Sequence, residues 1–115
     1  MQTMTDRLEA MLAQGKDNAL LRYTLGKAYV EQDRPREGCA HLRAAVALDP
    51  AYSVAWKWLG KALIALDEPQ QARQAWEQGM AAAQSRGDQQ VVKELRVFLR
   101  RLDRATGSGT PAGGV

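Results

Sequence analysis

Residues that carry chemistry are scarce in this chain. One cysteine, Cys39, has no second cysteine to pair with, so an internal disulfide and a multi-cysteine zinc site are excluded. One histidine, His41, follows two residues later, and residues two apart point to different faces of a helix. A Cys/His dyad or a shared metal within that stretch is therefore disfavoured. His41 reads as a solvent-facing side chain and Cys39 as a small packed hydrophobe. No apolar run is longer than five residues, as in Ala62, Leu63, Ile64, Ala65 and Leu66, so no segment is expected to span a bilayer. The start carries Asp6, Arg7 and Glu9 and lacks the apolar centre of a secretory leader. β-Branched residues are sparse outside Val91 and Val92, and alternation of period two is absent, which argues against strands. Without strands, no strand-borne glycine loop exists to cradle a phosphate. The expectation is a cytoplasmic single domain without cofactor, metal or catalytic site.

Excess charge is also confined. Ten cations balance ten acids over residues 1–85. The net +3 arises from residues 86–104, where Arg86, Lys93, Arg96, Arg100, Arg101 and Arg104 face only Asp88, Glu94 and Asp103. Two readings of this segment stand. It is a solvated helix face whose cations suit a helix C-terminus, or a basic patch (Lys93, Arg96, Arg100) for an acidic partner. Balanced charge elsewhere, and the lack of aromatic platforms beside the arginines, argue against nucleic acid.

What the chain does have is helical periodicity. Met4, Leu8, Met11 and Leu12 form one apolar stripe, and Leu21, Leu25, Ala28 and Tyr29 the next. Gly15 followed by Asp17 and Asn18 marks a stop and a new N-cap between them. Pro35 opens a third helix carrying Leu42, Ala45, Val46 and Leu48, which Asp49-Pro50 ends. Trp56, Leu59, Leu63 and Leu66 mark a fourth, Ala72, Ala75, Trp76 and Met80 a fifth. After Gly87-Asp88, Val91, Leu95, Phe98 and Leu102 mark a sixth. The remainder, 105–115, is uncharged and rich in Gly, Ser, Thr and Pro, which predicts disorder.

A repeat underlies the helices. Leu25-Gly26-Lys27-Ala28 recurs as Leu59-Gly60-Lys61-Ala62, and Asp33 and Pro35 recur as Asp67 and Pro69, all at an offset of 34. Gly26 and Gly60 stand mid-helix, where glycine costs about 1 kcal/mol against alanine. That cost predicts close helix approach, Gly26 to Gly38 or Ala45 and Gly60 to Ala72 or Gly79. With Leu25, Gly26, Tyr29, Gly38, Leu42, Ala45 and Pro50 in one unit, and Trp56, Leu59, Gly60, Leu63, Ala72, Trp76 and Gly79 in the next, the chain resembles the tetratricopeptide repeat family. It departs from the family pattern at Arg22, Leu63 and Gln84. The resemblance implies an all-α, right-handed α-α superhelix of about two and a half repeats with six antiparallel-stacked helices. Its parts would be a leading helix 4–14, repeats 19–52 and 53–86, and a closing helix 88–104.

It also implies binding of protein rather than catalysis. In a curved stack the first helix of each pair lines the concave side. Residues a quarter turn off the buried stripe would face that groove: Tyr23, Lys27 and Val30, then Val54, Lys57, Trp58, Lys61 and Ile64. Trp58 is two residues from Trp56, so both cannot fill one stripe; it either stacks on a ligand or packs on the adjacent first helix. Lys27, Lys57 and Lys61, with no acid expected near them, suit an acidic peptide or carboxylate terminus, unless they are merely solvated. Lys27 and Trp58 or Lys57 stand where family members that clamp chaperone tails carry asparagines, which argues against that ligand. The expected partner is a short peptide segment, the expected state a monomer or weak homodimer, with self-association through Met4, Met11 or Val97 as the alternative function.

Overall fold

Six helices occupy residues 3–107, the part of the chain that the computed structural model describes. They are α1 (Met4–Ala13), α2 (Ala19–Glu31), α3 (Pro35–Leu48), α4 (Ser53–Ala65), α5 (Pro69–Arg86) and α6 (Gln89–Thr106), and no strand occurs among the described residues. Short polar side chains start several of them. Thr3 Oγ1 accepts from the Asp6 amide at 3.1 Å while the Asp6 carboxylate accepts from the Thr3 amide at 3.3 Å, a reciprocal capping box. Asn18 accepts from the Leu21 amide at 2.8 Å and opens α2. Pro35 and Pro69 are the first residues of α3 and α5, where a missing N–H costs nothing.

The two intra-repeat turns are copies of one another. Asp33 and Asp67 adopt left-handed φ of 60° and 59°. The following amides reach back five residues, Arg34 N–H to Tyr29 O and Glu68 N–H to Leu63 O, both at 2.9 Å. This is the Schellman closure of a helix, with aspartate at the position glycine usually takes.

Helices α2 and α3 form one antiparallel pair and α4 and α5 the next, while α3 packs on α4 and α5 on α6. Alternate helices also touch, α2 with α4 and α4 with α6, so these three line one side of the stack. The molecule is elongated, 55 × 29 × 20 Å, and its core is a series of layers rather than one centre. Leu21, Leu25 and Tyr29 form the first layer with Leu8 and Leu12 of α1 against them. Leu42, Ala45, Ala55, Leu59 and Leu63 belong to the middle one, and Trp76, Ala83, Val91, Val92 and Leu95 to the last. Cys39 packs in the middle layer. The fold is an all-α helical-repeat superhelix.

Glycine sets how closely the pairs approach. A Cβ on Gly26 would collide with Leu42 and lie 3.1 Å from Gly38 O; one on Gly38 would lie 2.6 Å from Val30 Cγ2 and 2.9 Å from Gly26 O. The expected Gly26–Gly38 contact is present. The second pair departs from expectation: the partner of Gly60 is the Trp76 indole, not Ala72 or Gly79. Trp76 is larger than the Leu42 that stands at the equivalent place, so its ring fills the space above Gly60. A Cβ on Gly79 would instead lie 2.8 Å from Trp56 Cβ and 3.1 Å from Leu95 Cδ1.

The ends also differ from expectation. Helix α6 continues through Ala105 and Thr106 before Gly107 closes it at φ 69°, so the expected disordered segment does not begin at 105. Residues 108–115 of that segment lie outside the described residues. No helix among the described residues is long and apolar enough to cross a membrane.

Gly60→Ala is predicted to destabilise the chain by about 1–3 kcal/mol, the usual range for overpacking a filled core. Asp67→Gly, which frees a left-handed turn at some cost in unfolded-state entropy, is predicted to stay within about 1 kcal/mol of wild type. Urea unfolding of the two variants checks this; a Gly60→Ala chain more stable than wild type would rule out the close contact with Trp76.

Candidate functional site

The side of the stack lined by α2, α4 and α6 carries a row of alternating cations and rings. Trp58 of α4 lies between Lys27 of α2, whose Nζ is 5.2 Å from the ring centroid, and Lys61, at 4.1 Å. Lys61 Nζ also lies 5.8 Å from the ring of Phe98 on α6. One turn and its neighbours therefore bring together residues from all three helices. Trp58 is half-buried and packs against the middle core layer, with Lys27 of the adjacent first helix over its ring.

The other expected groove residues are divided among several places. Tyr23 meets Tyr52 with ring centroids 5.0 Å apart. Burial raises the Tyr23 hydroxyl above its ordinary pKa, and the Glu31 charge adds to this; Tyr52 is raised likewise, first by burial and then by Tyr23 and Asp49. Val30 is turned toward α3 and covers Gly38. Val54 packs with the last core layer. Ile64 is 42% exposed and stands at the end of the row.

Lys57 does not stand free in the row. Its Nζ donates to Glu94 Oε1 of α6 at 3.0 Å, with the lysine side chain 15% exposed. Its carbonyl accepts from Trp76 Nε1 at 2.9 Å. Lys27 donates to Glu31 at 3.3 Å. The expectation of three lysines without a nearby acid thus fails for two of them. Glu31 follows Lys27 by one helical turn and could have been read from the sequence. Glu94 could not, because it is 37 positions from Lys57 and the stacking of α6 on α4 brings it there.

Lys61 is different. Its ammonium lies over the Trp58 and Phe98 rings and pairs with no carboxylate among the described residues, and it borders a cleft of about 490 Å³ lined by Ile64, Trp76, Phe98, Arg101, Leu102 and Ala105. Trp76 and Phe98 meet there with centroids 5.3 Å apart. On the opposite face of α6, Lys93, Arg96 and Arg100 are all exposed. They lie away from the buried stripe of Val91, Val92, Leu95 and Leu102.

A polar cluster at the other end was not foreseen. His41 is half-buried, its side chain 13% exposed, and not solvent-facing. Arg22 Nη1 lies 3.1 Å from His41 Nδ1, and since arginine only donates, Nδ1 accepts. His41 Nε2 then faces Glu9 Oε2 of α1 at 3.4 Å. The same carboxylate oxygen accepts from Tyr29 Oη at 2.5 Å, and the Tyr29 and His41 rings stack at 5.6 Å. Asp17 completes the chain by accepting two bonds from Arg22, at 2.8 and 3.0 Å, which hold its carboxyl below the usual range. Arg22 stands where the repeat pattern carries tryptophan. The polar replacement is compensated by these partners, which tie α1 to α2 and α3.

Burial, reinforced by the bond to Glu9, pushes the Tyr29 hydroxyl up from 10.0 to about 12. A raised pKa in the folded chain means that the neutral hydroxyl stabilises it below the unfolded value. This contribution is lost as pH rises through the window from 10.0 to about 12. Thermal unfolding across this window is predicted to show a falling midpoint, with a shallower fall in Tyr29→Phe; equal slopes in both proteins would contradict the assignment.

No family model matches the chain. Over 102 residues it is 53% identical to a TPR repeat-containing protein of Pseudomonas aeruginosa, covering 89% of this chain and 97% of that protein. Its structure resembles the solution structure of a protein from Bordetella parapertussis, with a TM-score of 0.81, 61% identity and full coverage of both chains. It also resembles a tetratricopeptide repeat domain protein from Salinibacter ruber, with a TM-score of 0.69 and 25% identity, covering 76% of this chain and 88% of that one.

Proposed function

The chain belongs to the tetratricopeptide repeat family, and from this we propose that it is a non-catalytic protein–protein interaction module that holds a short acidic peptide segment on its α2–α4–α6 face. The observation that carries this reading is the row Lys27–Trp58–Lys61–Phe98, which crosses all three helices. An aromatic ring flanked by ammonium groups offers a flat apolar contact beside positive charge, which suits a peptide with an acidic residue next to an apolar one. Ion pairing removes Lys57 from this task and weakens Lys27, so Lys61 and Trp58 are the centre of the face.

Panning a display library of random peptides on the immobilised full-length chain tests the reading. Enriched peptides are expected to carry Asp or Glu. Their affinity is expected to fall by about tenfold or more in Trp58→Ala or Lys61→Glu, a hot-spot magnitude. Arg36→Glu, on exposed α3, should bind as wild type does. Enrichment that ignores Trp58 and Lys61, or no enrichment, sinks the proposal.

A second reading rests on exposed apolar side chains at the two ends. Met4 is 56% and Met11 38% exposed on α1, and Val97 is 38% exposed on α6. Contact between such unlike ends would be head-to-tail self-association. Sedimentation at two concentrations decides it: a mass that rises with concentration and falls back in Met11→Lys supports it, and an unchanging monomer excludes it.

A further inference from the structure

The cleft between α4 and α6 carries an inference that rests on the protein-binding reading above and locates its anchor. At the repeat offset of 34, Phe98 is the counterpart of Ile64. Helix α4 ends one residue after Ile64, at Ala65, whereas α6 continues past Phe98 to Thr106. The last turns of α6 therefore outrun α4, and Leu102 and Ala105 extend one wall of the cleft beyond the end of the other. Trp76 of α5 contributes a further part of the lining and is held in place by its bond to Lys57 O. Ile64, Trp76, Phe98, Leu102 and Ala105 present carbon, and about 490 Å³ is ample for one large apolar side chain.

The rim is cationic. Lys61 and Arg101 border the cleft, and no acid is among its lining residues. The acids nearest in sequence on α6 are already engaged, Glu94 by Lys57 and Asp103 by Arg73. Lys61 also belongs to the cation–aromatic row, so a chain lying across Trp58 runs directly into the cleft. We infer that this cleft is the anchor subsite of the binding face, taking a phenylalanine- or leucine-sized side chain of a partner peptide with a carboxylate beside it on Lys61 and Arg101. The sequence pattern did not point to Phe98, Arg101, Leu102 or Ala105, because at helical spacing they read as core and solvated face.

Three capped tripeptides separate the two components of recognition: acetyl-Asp-Phe-Asp-amide, acetyl-Asn-Phe-Asn-amide and acetyl-Asp-Ala-Asp-amide. Each is titrated into the 15N-labelled full chain and read from amide shifts. The first is expected to move Ile64, Phe98 and Ala105. The second should bind about fivefold more weakly, the upper end for an ion pair at an open rim. The third should leave those amides in place. In Lys61→Gln/Arg101→Gln, whose unchanged spectrum outside the rim certifies its fold, the two phenylalanine peptides should bind alike. Equal binding of both to wild type overturns the carboxylate preference, and no shift at Phe98 and Ala105 overturns the subsite. Shifts confined to Lys27 and Trp58 would remove the cleft while sparing the wider face. Seating in the cleft, with library peptides indifferent to Trp58, would instead spare the cleft and remove the wider face.

Discussion

Everything in this molecule depends on how closely the helices of each pair approach. An amphipathic helix hairpin buries one face and leaves another apolar, so it is stable only when a neighbour covers that face. Glycine at 26 and 38 lets α2 and α3 touch backbone to side chain, and glycine at 60 lets the Nε1 edge of the Trp76 indole come up against α4. These contacts set the orientation of each pair and hence where the next pair lands. The curvature that places α2, α4 and α6 side by side is a consequence, and so is the row of residues that crosses them. The same contact holds the Trp76 ring where it forms part of the cleft.

Electrostatics then sorts the cations into occupied and available ones. Lys57, Lys27, Arg22, Arg34 and Arg73 each have a carboxylate partner. Exposed pairs such as Arg34–Glu37 contribute little to stability. Their effect here is on the surface field, because a paired lysine attracts a ligand less than one backed only by rings. Lys61 faces Trp58 and Phe98, whose π-faces favour the cation without neutralising it. Lys61 and Arg101 border the apolar cleft between α4 and α6.

At the opposite end α1 is held by a mixture of apolar and polar contacts. Leu8 and Leu12 pack on the first core layer, and Glu9 accepts from Tyr29 while facing His41. Arg22 supports this arrangement in place of the tryptophan that the repeat pattern carries there. Here Asp17, Arg22, His41, Glu9 and Tyr29 form an unbroken, partly exposed chain that ties α1 to α2 and α3.

Six helices, their breaks and the period of 34 are written locally, in apolar spacing, in Asn18 and Pro35 and Pro69, and in the recurring Leu-Gly-Lys-Ala. Backbone hydrogen bonding and side-chain periodicity operate over a few residues, so these features required no knowledge of distant partners. The family resemblance follows from the same spacing, and that resemblance implied Lys27, Trp58 and Lys61 on one face. What only the tertiary structure decided was partnership between residues far apart in the chain. Glu94 reaches Lys57, Glu9 meets Tyr29 and His41, Trp76 covers Gly60, and α6 outruns α4 to leave a cleft. Each depends on rotations and offsets between stacked helices, set by side-chain volume at a few contacts. A one-dimensional pattern holds the faces of each helix but not the angle at which two faces meet.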